Sequence, residues 1–222
     1  MDYERFLDLV KNRRSIRDFK NDPIPDGDVE KIIETARWAP SGFNSQPWEF
    51  VVVKKKELRE SIIQFIADLR KEGQSKAPPQ KPAQVAPIGF ANAPVLILLF
   101  GDPRVRPWAP PPVRANDERW NDVFISSLAI GFQYLHLAAG SLGLASQWVS
   151  TVAHPKVASQ IKQLLGIPPF MEIYDMMALG YAGADPRDKP MRDLKQMVHY
   201  DDCGEGDFRS DEAVKAYFER KD

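Results

Sequence analysis

Apolar residues recur along this chain with two periods, and each period predicts a kind of secondary structure. Tyr3, Phe6 and Val10 are spaced as one face of a helix, whereas the short β-branched run at 49–54 is typical of a strand. The same criteria predict helices at 2–12, 26–38, 56–71, 116–142, 154–165 and 211–220. They predict strands at 49–54, 94–100, 145–151 and 171–182. We therefore expect a single mixed α+β domain over 1–222.

The stretch 116–142 is predicted to form one long helix that is apolar nearly all round in its second half. Phe124, Leu128, Phe132 and Leu135 are among the apolar residues distributed around its circumference. A helix without a polar face belongs in the middle of a molecule or at a subunit interface. One domain of this size has difficulty covering such a helix, so we expect a homodimer.

A proline-rich stretch interrupts the regular pattern. Ten of the 19 prolines fall between Pro78 and Pro112, with the apolar strand at 94–100 among them. Proline neither continues a helix nor donates to a sheet, so the flanking segments are predicted to be extended loops. The region 74–120 is either a lid over a binding site or a plain surface excursion.

Composition and charge narrow the class of protein. The chain has 222 residues, 43% hydrophobic and 27% charged, with a formal net charge of -1, so no global charge favours nucleic acid or an anionic membrane. Cys203 is the single cysteine, which excludes an internal disulfide. The first fourteen residues lack an apolar stretch, so we expect a cytoplasmic protein.

Several familiar chemistries have no motif in this sequence. No G-x-G-x-x-G follows a predicted strand, and neither a P-loop nor a G-x-S-x-G elbow occurs. The three histidines, His136, His154 and His199, are scattered without cysteine partners, so no metal site is expected. His136 lies on the apolar helix and is interpreted as a satisfied core histidine rather than a catalytic base.

Two short segments carry unusual polar chemistry. The first, at 13–19, places Arg13, Arg14, Ser15 and Arg17 at the end of a helix, where they could bind phosphate or form a solvated basic helix end. The second, at 39–48, reads A-P-S-G-F-N-S-Q-P-W between a helix and a strand. It could hold a planar ligand or be a well-capped connection around a core tryptophan.

Together the two segments resemble the nitroreductase family. The pattern R-R-S-x-R-x-F is followed about 25 residues later by A-P-S-x-x-N-x-Q-P-W. The resemblance continues through the long helix to Leu144, through Gly180-Tyr181, and into the basic segment 189–194. It implies a central, mostly antiparallel sheet flanked by helices in an intertwined homodimer, with the tail 183–222 extending over the partner subunit.

The resemblance also implies a cofactor and a reaction. FMN would bind at the dimer interface and pass a hydride through N5 from NADH or NADPH to a nitroaromatic, quinone or activated alkene, in ping-pong order. No side chain is assigned as obligatory for catalysis. The residues implied to bind the cofactor are Arg13, Arg14, Ser15, Arg17, Pro40, Ser41, Asn44, Gln46, Trp148, Val149, Ser150, Lys189 and Arg192.

Two alternatives stay open at this level. A specialised flavoenzyme of the same fold, such as a reductive dehalogenase or a flavin-cleaving enzyme, would have the same motifs. So would a flavin-binding protein without catalytic turnover.

Overall fold

A four-stranded antiparallel sheet forms the centre of the structure, a computed structural model that describes residues 2–75, 88–186 and 189–219. The strands lie in the order β1-β2-β4-β3, and every neighbouring pair is antiparallel. Their bounds are Trp48–Val53 for β1, Val95–Gly101 for β2, Ala145–Val149 for β3 and Glu172–Gly180 for β4. The predicted α+β class with a mostly antiparallel sheet is confirmed, and the intertwined homodimer stays a prediction.

The sheet separates two hydrophobic cores. Strand β2 is buried along its whole length, as its unbroken apolar run predicts. Because side chains alternate across a strand, Ile97 and Leu99 enter one core while Leu96 and Leu98 enter the other. Both faces of the sheet therefore need a covering layer of helices.

Helices cover both faces and follow the predicted periodicity closely. Helices α2 (Asp26–Arg37) and α5 (Asp117–Ser141) supply one core, and α3 (Lys56–Ser75) and α6 (Pro155–Leu165) supply the other. The remaining helices are α1 (Tyr3–Asn12), the single turn α4 (Pro111–Arg114) and α7 (Asp211–Glu219). The predicted helices are confirmed with ends shifted by at most four residues.

Helix α5 is the long core helix that the sequence predicted. Asn116 caps its start by accepting a hydrogen bond from the Arg119 N–H at 2.8 Å. Among the described residues, α5 is the one helix long and apolar enough to cross a membrane, but half of its most apolar window is buried inside the protein. It packs against α2 and the sheet, as a core helix does.

The prediction of extended loops around the prolines is wrong at 103–108 and 111–114, where the structure has short helical segments. Pro103–Trp108 forms a 3₁₀ helix, and Pro111–Arg114 forms the α-helical turn α4. Proline is tolerated in a first helical turn because its missing N–H has no partner there. Residues 76–87 of the predicted lid lie outside the described residues.

The chain divides into two compact units, Met1–Pro186 and Arg187–Asp222. The larger unit contains the sheet and both cores. In the smaller unit, two 3₁₀ turns precede α7, and none of residues 189–219 is buried.

Candidate functional site

The arginine-rich segment leaves α1 and runs as an extended edge beside the sheet. The Ile16 N–H donates to the Ser146 carbonyl at 3.1 Å, and Ser15 forms a parallel bridge with Ser146 of β3. Ile16 and Phe19 are buried while Ser15 and Arg17 are exposed. The segment therefore presents Ser15 and Arg17 to solvent.

Arg13 and Arg14 line a cleft of about 240 Å³ at the junction of this edge with the end of α5. Gly140, Leu144 and Ser146 also line this cleft. Burial, and secondly the charge of Arg14, lowers the pKa of Arg13 from its ordinary value. An arginine nevertheless stays charged in proteins, so the cleft holds two adjacent cations.

No carboxylate in the described part of the chain forms an ion pair with Arg13, Arg14 or Arg17. Partly buried guanidinium groups without a counter-charge are stabilised by a bound anion, and their planar donors suit phosphate. These side chains are therefore of the kind that can bind an anionic group.

The loop before β1 holds three non-glycine residues in the left-handed region of backbone space. The φ angles are 58° for Phe43, 53° for Asn44 and 43° for Gln46. Each such conformation costs roughly 1–3 kcal/mol and persists only where surrounding contacts enforce it. Strain of this kind is concentrated at ligand sites.

Contacts with helix α5 and within the loop itself hold its backbone. The Gly42 N–H donates to the buried Ser127 hydroxyl at 3.0 Å, and the Gln46 N–H donates to Ser41 Oγ at 3.0 Å. A Cβ at Gly42 would lie 2.3 Å from Val123 Cγ1, so only glycine fits against the helix. Asn44 is exposed, and its side-chain amide makes no hydrogen bond to any described residue.

The structure does not bring the loop and the arginines into one pocket. The loop meets α5 at Ser127, whereas Leu9 of α1 contacts it at Gly140, beside the arginine cleft. Thirteen helical residues separate these points by about 20 Å along the axis. None of the predicted loop residues Pro40, Ser41, Asn44 and Gln46 lines the cleft.

The three predicted residues of β3 and its exit point in different directions. Trp148 lies in an aromatic cluster with Phe132, His136 and Tyr174, and its Nε1–H donates to the Asp175 carboxylate. Val149 is buried in the opposite core, so its side chain cannot face a ligand on the Trp148 side. Ser150 is exposed at the start of a 3₁₀ turn.

His136 is a core histidine, but only one of its two ring nitrogens has a hydrogen-bond partner among the described residues. Its Nδ1 lies 2.7 Å from Ser146 Oγ, while its buried Nε2 has no partner within the described chain. Burial, and secondly the charge of Arg13, lowers the pKa of His136 to about 3. The ring is therefore neutral and has no role as a base near neutral pH.

The remaining predicted residues are Arg17 in the larger unit and Lys189 and Arg192 in the smaller unit. Arg17 is exposed, and its carbonyl packs so closely on Gly89 that an added Cβ there would approach it to 2.3 Å. Lys189 is exposed in the smaller unit. Arg192, in the same unit, donates to the Gln196 carbonyl at 2.8 Å and lines a pocket within that unit with Lys195 and Arg209.

Three polar residues next to the predicted site were missed at the sequence level. Ser127, Ser146 and Asp175 are all buried in otherwise apolar elements. A polar residue within an apolar run was the available signal, because buried polar groups need a specific partner.

Comparison with known proteins identifies the family. The sequence profile of the Nitroreductase family matches residues 10–181, well over half of the chain. The chain belongs to the nitroreductase family. The match includes the arginine segment, the strained loop, α5 and all four strands.

Relatives agree with this assignment. A protein of Archaeoglobus fulgidus named as an NADH dehydrogenase/NAD(P)H nitroreductase is 27% identical over 80% of this chain and 86% of its own length. An iodotyrosine deiodinase of Daphnia pulex is 29% identical over 89% of this chain and 66% of its own length. A solved iodotyrosine deiodinase bound to FMN and 3-iodo-L-tyrosine shares the fold, with a TM-score of 0.71 at 22% identity over 89% of this chain and 100% of that one. As a member of this family, the chain is an oxidoreductase.

Proposed function

We propose that this oxidoreductase binds FMN and transfers electrons from NADH or NADPH to a small, electron-poor organic acceptor. Family membership supports the reaction class. The observation that carries the cofactor assignment is the pair of arginines in the cleft, since neither has a carboxylate partner within the described residues.

The donor chemistry of the site fits FMN. Arg13 and Arg14 would hold the terminal phosphate, and the exposed Ser15 hydroxyl adds a neutral donor beside them. The strained loop presents the Asn44 amide and the rigid Pro40-Ser41 turn, which suit the polar edge and flat surface of a planar ring. Bound FMN supplies hydride transfer, and the protein contributes its binding and orientation.

The separation of the two half-sites supports a homodimer. One subunit holds its loop and its arginines about 20 Å apart along α5. A two-fold axis would bring the loop of one subunit to the arginine cleft of its partner, so that each site uses both chains. A site built in this way is incomplete in the isolated subunit.

Exposed apolar surface supports the same assembly. No residue of α1 is buried, although Tyr3, Phe6 and Val10 form an apolar stripe with exposures of 69%, 48% and 40%. On α5, Ile125 and Ile130 are also exposed. Amphipathic helices whose apolar face is uncovered in one chain are typical of subunit interfaces.

Reconstitution and steady-state kinetics test the proposal. We expect the protein to bind FMN and to be bleached by NADH or NADPH without oxygen. If the electron donor and the electron acceptor occupy the same site in turn, the kinetics are ping-pong and the double-reciprocal plots are parallel. Failure to bind added FMN contradicts the cofactor assignment, and intersecting plots contradict the shared site.

Reductive dehalogenation is the second candidate. It is favoured by the relatives named iodotyrosine deiodinase, one of which matches 89% of this chain. Comparing kcat/KM for 3-iodotyrosine with kcat/KM for a nitroaromatic, at the same donor concentration, separates the candidates. A higher value for the iodinated phenol would favour dehalogenation.

A further inference from the structure

Ser146 is a buried serine on the wall of the arginine cleft. Only 3% of its surface is exposed, yet it lines the same cleft as Arg13 and Arg14. Its backbone is held on both sides, because its carbonyl accepts from the Ile16 N–H at 3.1 Å and β3 pairs it with Leu179 of β4. The sheet therefore fixes the backbone from which its side chain projects.

The one hydrogen bond of the Ser146 hydroxyl within the described chain is made with His136. Ser146 Oγ lies 2.7 Å from His136 Nδ1. A hydroxyl has one proton to donate and two lone pairs that accept. Which partner donates here depends on where the neutral imidazole carries its proton.

The surroundings of His136 decide its tautomer. Nε2 is buried and has no hydrogen-bond partner in the described structure. A proton on Nε2 would leave a buried N–H without an acceptor, and such donors are rarer in proteins than under-used acceptors. The proton therefore belongs on Nδ1, which donates to Ser146 Oγ.

This arrangement leaves the Ser146 proton available to a ligand. The O–H bond can rotate about Cβ–Oγ while the oxygen keeps the hydrogen bond from His136. On the cleft side, the unpaired guanidinium groups of Arg13 and Arg14 already favour an anion. We propose that Ser146 is a further donor to the phosphate held by Arg13 and Arg14, and that His136 is the residue that positions its hydroxyl.

His136 is well suited to a positioning role. Its ring stacks on Trp148, with the ring centroids 5.6 Å apart and an interplanar angle of 4°, and Phe132 meets it edge-on with a centroid distance of 5.0 Å. These contacts prevent rotation of the imidazole, so Nδ1 stays directed at Ser146. This assignment rests on the proposed binding of FMN.

Affinities for FMN and riboflavin test the assignment, because riboflavin lacks the phosphate. We expect Ser146→Ala to raise the Kd for FMN about tenfold, the effect of one hydrogen bond to a charged group, and to leave the Kd for riboflavin within about twofold. Ser146→Thr keeps the hydroxyl and should restore FMN affinity. Ser61→Ala is the matched control, because Ser61 is a half-buried serine on α3 that does not line the cleft and whose hydroxyl donates to the Glu57 carbonyl.

Variants of His136 test the positioning role. His136→Asn places an amide donor near the position of Nδ1 and should retain most of the FMN affinity, whereas His136→Leu should match Ser146→Ala. Adding His136→Leu to Ser146→Ala should then weaken FMN binding no further. If His136→Leu does not fold, the Ser146→Ala and Ser146→Thr pair still decides the role of the hydroxyl.

The outcomes separate this assignment from the proposed function. A wild-type protein that binds neither flavin overturns the cofactor assignment itself. A wild-type protein that binds FMN, with Ser146→Ala binding it equally well, overturns only the role of Ser146. Equal losses for FMN and riboflavin also overturn it, because they indicate a structural role for Ser146.

Discussion

Arg13 is a partly buried cation at the edge of a cleft, and no carboxylate in the described ranges pairs with it. Arg13→Ala should therefore weaken FMN binding by about 1.5–3 kcal/mol, or one to two decades in Kd, with a smaller effect on stability. Flavin fluorescence titration measures the Kd, and urea unfolding measures stability. Arg37→Ala is the control, because Arg37 is exposed and pairs with Glu34 at 2.6 Å. Equal FMN affinity in both variants would contradict the phosphate assignment.

Asp175 is a buried carboxyl group on strand β4 whose pKa is raised above its ordinary value. It is 7% exposed, and burial raises its pKa to about 6, although the hydrogen bond from Trp148 opposes the shift. An acid whose pKa is raised on folding binds its proton more tightly in the folded state. This contribution to stability is present below about pH 4 and is lost as the pH rises through about 6.

Asp175→Asn should therefore be nearly neutral at pH 4 and stabilising by up to about 3 kcal/mol at pH 8. The amide oxygen can still accept from Trp148 Nε1. Of the neighbouring groups, His136 has a pKa of about 3 and burial raises the pKa of Tyr174 above its ordinary value of 10.0, so neither titrates in this window. Urea unfolding at both pH values measures the difference, and a gain independent of pH would contradict the assignment.

At the scale of elements, the contact between α5 and the loop before β1 determines where the Asn44 amide is presented. Gly42→Ala should destabilise the protein by roughly 1–3 kcal/mol, because the added methyl group meets Val123. Gly73→Ala is the matched control: nothing lies within 4 Å of its added Cβ in α3, so it should stabilise by about 0.5–1 kcal/mol. Opposite signs in urea unfolding are expected. A Gly42→Ala variant as stable as wild type would show that the loop shifts without strain.

At the scale of the whole molecule, the exposed stripe on α1 connects assembly with cofactor binding. Phe6→Asp places a charge in the proposed interface and should shift the protein towards monomers that do not retain FMN. Lys71→Asp, on an exposed position of α3, is the control and should remain a dimer with FMN. Light scattering combined with flavin absorbance measures both properties. A monomer that retains FMN would contradict the dimer and the two-subunit site together.

Sequence periodicity by itself determined where the helices and strands of the larger unit lie. The apolar stripe of α2 and the unbroken apolar run of β2 are local patterns. Hydrophobic burial stabilises the helix in nearly any fold that covers its apolar face, and the strand in nearly any fold that covers both of its faces. The motifs at 13–19 and 39–48 likewise predicted the family that the comparisons confirm. Pro111 lies in a helical turn that hydrophobic periodicity did not predict. The turn can form because proline is tolerated at the start of a helix.

Only the tertiary structure decided which polar groups meet. Ser146 and His136 are ten residues apart in sequence, and Trp148 and Asp175 are twenty-seven apart, so no local period relates either pair. The sheet brings these partners together by pairing β3 with β4 beneath α5. Burial then changes their chemistry, lowering the pKa of His136 and raising that of Asp175, because a charge taken out of water is destabilised unless a partner compensates it.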